Sequence, residues 1–100
     1  MRETGGGTGA PLKRSVMIDN QRGLHARAAA KFVQTVARFP QARIQVQKDG
    51  QTVNGESIMG LMMLAGTQGS SIEIMAAGTE ARAALEALVA LVEAKFGVAE

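Results

Sequence analysis

An α+β fold is predicted: one four-stranded antiparallel sheet with three helices on one face, in the order βαββαβα. Three observations carry it. Four short segments alternate apolar and polar residues with the period of a half-buried strand, and three others repeat their apolar residues at helical spacing. Asp49-Gly50, between the second and third strand segments, is a hairpin signal, because glycine accepts positive φ without steric cost. Hairpins and crossovers of this length close most compactly as a single sheet under a single layer of helices.

The first strand begins at Leu12, where Val16 and Ile18 alternate with Ser15, Met17 and Asp19. "NQRG" breaks it. A helix runs from Ala26 to about Phe39, with Ala26, Ala29, Val33, Val36 and Ala37 on its apolar face and Arg27, Lys31, Gln34 and Arg38 stacked on the other. Pro40 stops it. "ARIQVQ" and "QTVN" are the hairpin strands, turning Ile44, Val46 and Val53 inward. "GESIMGLMMLAG" is a short apolar helix opened by Ser57 and ended by Gly66. "SSIEIMA" supplies the fourth strand, with Ile72 and Ile74 inward. Thr79 caps a final helix whose core stripe is Leu85, Leu88, Val92 and Phe96, before Gly97.

Residues 12 to 97 are enough for one domain with one core. Residues 1 to 11, with Gly5, Gly6, Gly7, Gly9 and Pro11, have little apolar surface to offset the entropy of ordering them and read as a flexible tail. "GGGTGAPLKRS" fails as a phosphate-binding loop, since no Gly-Lys-Ser/Thr follows at the required spacing and no strand precedes it. The absence of cysteine and the single histidine exclude a disulfide framework and a structural zinc site, so neither metal nor cofactor is expected. The first residues lack the apolar core of a signal peptide, and no run approaches a membrane span. A cytoplasmic location with no membrane partner is expected.

The formal net charge of +2 is unevenly spread. Residues 1 to 50 carry nine Lys/Arg against Glu3, Asp19 and Asp49, a net of +6, whereas residues 51 to 100 carry Arg82 and Lys95 against six glutamates, a net of −4. The basic half suits an anionic ligand or an acidic protein surface. It also holds the histidine.

His25 lies in "GLHARAAAKF", residues 23 to 32, just before the first helical turn. There the backbone N–H groups of Ala26, Arg27 and Ala28 have no intrahelical partners, and a helix end of this kind attracts anions. A phosphoryl group on the imidazole would be surrounded by these amides and by the Arg27 guanidinium. Neutral imidazole is a nucleophile near physiological pH, and no acid or base partner stands beside it in the sequence, which suits a carrier better than a hydrolase. On position alone His25 also reads as a plain helix cap. Gly23, which permits a tight approach, and Leu24, which can anchor the turn in the core, favour an imidazole held facing outward.

On the second helix Leu61 and Leu64 share a face, while Ile58, Met59, Met62 and Met63 cover another. One sheet in so small a domain cannot bury both, so the methionine face reads as a docking surface, with core filling as the other reading. Ser57 reads as the cap of this helix.

These residues resemble a known family. "GLHARAAAKF" is similar to the active-site motif of the histidine-containing phosphocarrier proteins, HPr, of the bacterial phosphoenolpyruvate-dependent phosphotransferase system, and "VNGESIMGLMML" to their second signature around a regulatory serine. The resemblance spans roughly residues 12 to 97 and implies an HPr-like open-faced β-sandwich. It implies a phosphocarrier, not an enzyme, whose His25 accepts a phosphoryl group from phospho-enzyme I on Nδ1 and passes it to IIA-type proteins. Arg27, with the amides of Ala26 and Ala28, would bind the phosphate; Ile58, Met59, Met62, Lys31 and Gln34 would dock partners. Ser57 matches the serine that a bifunctional HPr kinase/phosphorylase modifies in some lineages. The chain departs at Ala28, where many members have proline, and at Glu56, where lysine is common. Alanine restores one amide near the phosphate. A monomer is expected.

Two alternatives stand beside this reading. Within the family, a purely regulatory or nitrogen-linked carrier serves no sugar permease. From another class, a small basic RNA-binding module would use its sheet, but such sheets offer stacking aromatics, and Phe32, Phe39 and Phe96, the only aromatics here, are all placed in helices. No nucleic-acid partner is expected.

Overall fold

The computed structural model describes residues 11 to 98; of the tail read over residues 1 to 11, all but Pro11 lies outside the described residues. Strands β1 (Leu12–Met17), β2 (Arg43–Lys48), β3 (Gln51–Asn54) and β4 (Ser71–Ala77) form one antiparallel sheet in the order β1-β4-β2-β3. Helices α1 (Ala26–Val36), α2 (Ile58–Met63) and α3 (Ala81–Glu93) pack on one face, and a single 3-10 turn, Lys95–Gly97, closes the described chain. The α+β order βαββαβα is found as predicted.

Register explains which face is covered. One row across the sheet reads Arg14, Ile74, Val46 and Val53, and the next row on that face reads Leu12, Ala76 and Ile44. Ile74, Val46, Ala76 and Ile44 are buried, while Ser15, Glu73, Gln47 and Thr52 form a polar row on the open side. This is the alternation of a sheet with one solvated face. Arg14 is the exception on the core face, and it stays exposed because β1 is an edge strand. Asp49 and Gly50 both take positive φ, 52° and 81°, the geometry of a tight hairpin turn.

The structure corrects several sequence expectations. The buried face of α1 is Ala28, Ala29, Phe32 and Val36; Ala26 and Ala37 are exposed and Val33 is half-buried. The helix is rotated to put Phe32 inside, where its area gains most from leaving water. α1 also ends before Pro40: Arg38 and Phe39 donate to the carbonyls of Thr35 and Val36 at 3.1 and 2.9 Å, tightening the chain into turns, so Phe39 lies beyond the helix. α2 stops at Met63, with Ala65 at φ 54°, not at Gly66. Thr79 does not cap α3. Glu80 holds that position without capping, because its Oε1 accepts from the Gln41 N–H at 2.6 Å and ties the helix start to the loop before β2. Leu85, Leu88 and Val92 are buried as predicted, but Phe96 enters the core from the left-handed turn that follows α3, where Lys95, Phe96 and Gly97 have φ of 58°, 58° and 65°.

Candidate functional site

His25 is the N-cap of α1, in extended conformation at φ −72° and ψ 177°. Its carbonyl accepts the first helical bond, from the Ala29 N–H at 2.9 Å, and its ring Nδ1 accepts from the Arg27 N–H at 3.2 Å. An accepting ring nitrogen carries its lone pair, so the proton of the neutral imidazole sits on Nε2. The nucleophilic lone pair therefore faces the donor end of the helix. The amides of Ala26 and Ala28 also precede the first intrahelical bond; Arg27 is exposed and Ala28 is buried.

The loop before the helix explains how the ring is held there. Asn20 is buried; its Nδ2 donates to the Gly23 carbonyl at 2.8 Å, and the Gly23 N–H returns to the Asn20 carbonyl at 3.2 Å. Gly23 sits at φ 61°, with the Gly66 carbonyl oxygen where a Cβ would go. Leu24, buried, donates its N–H to that same Gly66 oxygen at 2.9 Å. Gly66 is itself confined, because a Cβ there would lie 2.6 Å from Ile18 Cδ1 and 2.9 Å from Leu24 Cδ1. The segment after α2 thus braces the loop that carries His25.

Ser57 caps α2 as expected, its Oγ accepting from the Gly60 N–H at 2.9 Å. The rest of "VNGES" builds that corner: Asn54 Oδ1 accepts from the Glu56 N–H at 2.7 Å, and Gly55 lies where a Cβ would come 2.6 Å from Ile44 Cγ2. Ser57→Ala should lower stability by about 1 kcal/mol through loss of the cap. Urea unfolding checks this: the midpoint should fall with an unchanged slope.

α2 buries Leu61 and Leu64 and turns Ile58, Met59, Met62 and Met63 outward, at 39, 71, 41 and 66% exposure. Core filling is thereby overturned for these four residues. α1 packs beside α2 and presents Arg27, Lys31 and Gln34 to solvent, with Arg38 just beyond it, 5.5 Å over the Phe39 ring. The structure brings these groups onto neighbouring helices but separates Ser57 from His25. α1 follows the upward strand β1 and α2 the downward strand β3, so the two caps lie at opposite ends of the sheet.

Asn20 and Gly66 were not singled out as site residues from sequence. The spacing of Asn20 and Gly23, with asparagine first and glycine fourth, is the signature of a turn. Gly66 carries no local signal, because its close neighbours Ile18, Gly23 and Leu24 are distant in sequence. The aromatics do not suit a nucleic-acid platform: Phe32 and Phe96 are fully buried and Phe39 packs against the core.

A small open-faced sandwich that presents an imidazole lone pair to a helix start is the architecture of a phosphoryl-carrying domain. The family model described as "PTS HPr component phosphorylation site" matches residues 12–94. The phosphocarrier protein HPr of Neisseria meningitidis is 46% identical over 89 residues, covering 89% of this chain and 99% of that protein. The phosphocarrier protein NPr of Shewanella violacea is 41% identical over 85 residues, covering 85% of this chain and 92% of that protein. Among solved structures, HPr from Thermoanaerobacter tengcongensis superposes with a TM-score of 0.82 at 44% identity, covering 89% of this chain and 99% of that one. The chain belongs to the HPr family of phosphotransferase-system phosphocarriers.

Proposed function

We propose that His25 is the phosphoryl acceptor, taking the group from phospho-enzyme I on Nδ1 and passing it to a histidine of a IIA-type protein. The supporting observation is the Nδ1 lone pair aimed at the Arg27 amide at the start of α1. In the transfer a P–N bond to enzyme I breaks as the bond to Nδ1 forms. The Arg27 N–H, released from the ring, then donates to a phosphate oxygen, and the amides of Ala26 and Ala28 and the positive helix end favour the same charge. The Arg27 N–H thus has an acceptor before and after transfer. The group arrives on and leaves from the same imidazole nitrogen, so His25 acts as a stoichiometric carrier between two proteins.

Partners dock, on this reading, on the exposed face shared by α1 and α2: Lys31 and Gln34 meet acidic or polar groups, and Ile58, Met59 and Met62 enter an apolar patch. Ser57 is the regulatory position, open to a kinase of the HPr kinase/phosphorylase type. Residues 12–97 act as the carrier domain, in the cytoplasm; among the described residues no helix is long and apolar enough to cross a membrane. A nitrogen-linked regulatory carrier is the other reading within the family, and the likeness to an HPr at 46% identity beside an NPr at 41% does not favour it. Transfer to a sugar-specific against a nitrogen-linked IIA protein separates the two.

The test is incubation with labelled phosphoenolpyruvate and enzyme I. An acid-labile, base-stable label should appear on the wild type and be absent from His25→Ala; label retained by a folded His25→Ala would overturn the assignment. Arg27→Ala should melt like the wild type and transfer roughly 10- to 100-fold more slowly, the loss of one charge-assisted contact. Stopped-flow transfer rates check this, and equal rates would remove the guanidinium from the mechanism.

A further inference from the structure

The peptide unit between Gly23 and Leu24 is fixed at both of its polar atoms. Its carbonyl accepts from Asn20 Nδ2 at 2.8 Å, and its N–H donates to the Gly66 carbonyl at 2.9 Å. This unit stands one residue before His25. Gly23, at φ 61° and with no Cβ, is the residue of the loop about which such a plane rotates most easily. Rotation would change φ of Leu24 and swing the His25 ring away from the Arg27 amide, 3.2 Å from Nδ1.

We propose that Asn20 is a positioning residue for phosphoryl transfer: its buried side-chain amide locks the Gly23–Leu24 peptide and so keeps Nδ1 of His25 facing the start of α1. The proposal rests on the reading of His25 as acceptor. Asn20 does not touch the reacting atoms; it acts through Gly23. Its side chain suits the task, because the residue is only 1% exposed and water cannot readily replace its donor. Short reach matters too, since a side chain three residues back must turn onto a carbonyl in its own turn. An aspartate of the same shape would set a carboxylate oxygen against that carbonyl.

The experiment compares wild type with Asn20→Asp and Asn20→Ala, below the melting temperature of each. Nitrogen-15 NMR of the imidazole should show the Nε2–H tautomer predominating in wild type and a shift towards the mixture of a free imidazole in both variants. Transfer from phospho-enzyme I should fall at least about tenfold at saturation, with KM within about threefold, as expected for misplacement of a reacting atom. A merely structural role lowers the melting temperature and moves neither readout. Wild-type tautomer and rate in a folded Asn20→Asp would overturn the proposal. Should neither variant fold, coupling across the hydrogen bond from Asn20 Nδ2 to the Gly23 carbonyl is read in the wild type; its presence supports the lock and its absence overturns it. A wild type that takes no phosphoryl group would sink the acceptor reading of His25, while the NMR readouts still decide whether Asn20 sets the ring.

Discussion

Gly23→Ala should destabilise the domain by about 2 to 4 kcal/mol and slow phosphoryl transfer with it. Two costs add. An alanine at φ 61° pays about 1 to 2 kcal/mol for the left-handed conformation. Its Cβ would also collide with the Gly66 carbonyl oxygen, so the two segments must part, and the hydrogen bond from the Leu24 N–H at 2.9 Å goes with them. That bond contributes roughly 1 kcal/mol, and stranding the Leu24 N–H costs more. For a domain of this size the melting temperature should drop by at least about 10 °C. Calorimetry together with transfer rates taken well below the melting point checks both parts. An unchanged melting temperature would show that the loop is not strapped to the segment after α2.

The second large effect concerns a phosphate on Ser57. It would add about −1.5 to −2 charge at the start of α2, where the helix itself accommodates an anion, so the melting temperature should hold or rise slightly. Partner binding should suffer. Ser57 adjoins Ile58 and Met59, exposed on the proposed docking face, and a doubly negative group there must be desolvated and repels acidic partner residues. A loss of about 2 to 4 kcal/mol corresponds to one to three orders of magnitude in affinity. Ser57→Asp should reproduce part of it. Transfer from enzyme I measured at low and moderate salt tests the effect; identical rates for wild type and Ser57→Asp would leave Ser57 as a helix cap alone. Because the two helix caps lie at opposite ends of the sheet, the inhibition should act on docking and leave the His25 ring where it is.

What the sequence made legible follows from which forces are local. Strand alternation at Ile44, Val46, Ile72 and Ile74, the Asp49-Gly50 turn and the Ser57 cap depend on residues within a few positions of one another, and each is found in the structure. The burial of Phe32 is set by tertiary packing, which rotated α1 away from the face that counting alanines and valines suggested. Thr79 lost the cap position of α3 because Glu80 was drawn to Gln41, 39 residues away. At the site, the N-cap position of His25 was readable from "GLHARA", since a cap is a local event. The ring nitrogen was not. Nδ1 faces the helix through a peptide held by Asn20 on one side and Gly66 on the other, and Gly66 is more than 40 residues from the loop it braces.

The measurement closest to the central claim is phosphorus-31 and nitrogen-15 NMR of the uniformly labelled protein after incubation with phosphoenolpyruvate and enzyme I. One phosphoryl group per chain is expected, coupled to Nδ1 of His25, with the Arg27 amide shifted as it leaves the ring for a phosphate oxygen. A phosphoryl group on Nε2, on another residue or on none would contradict the claim.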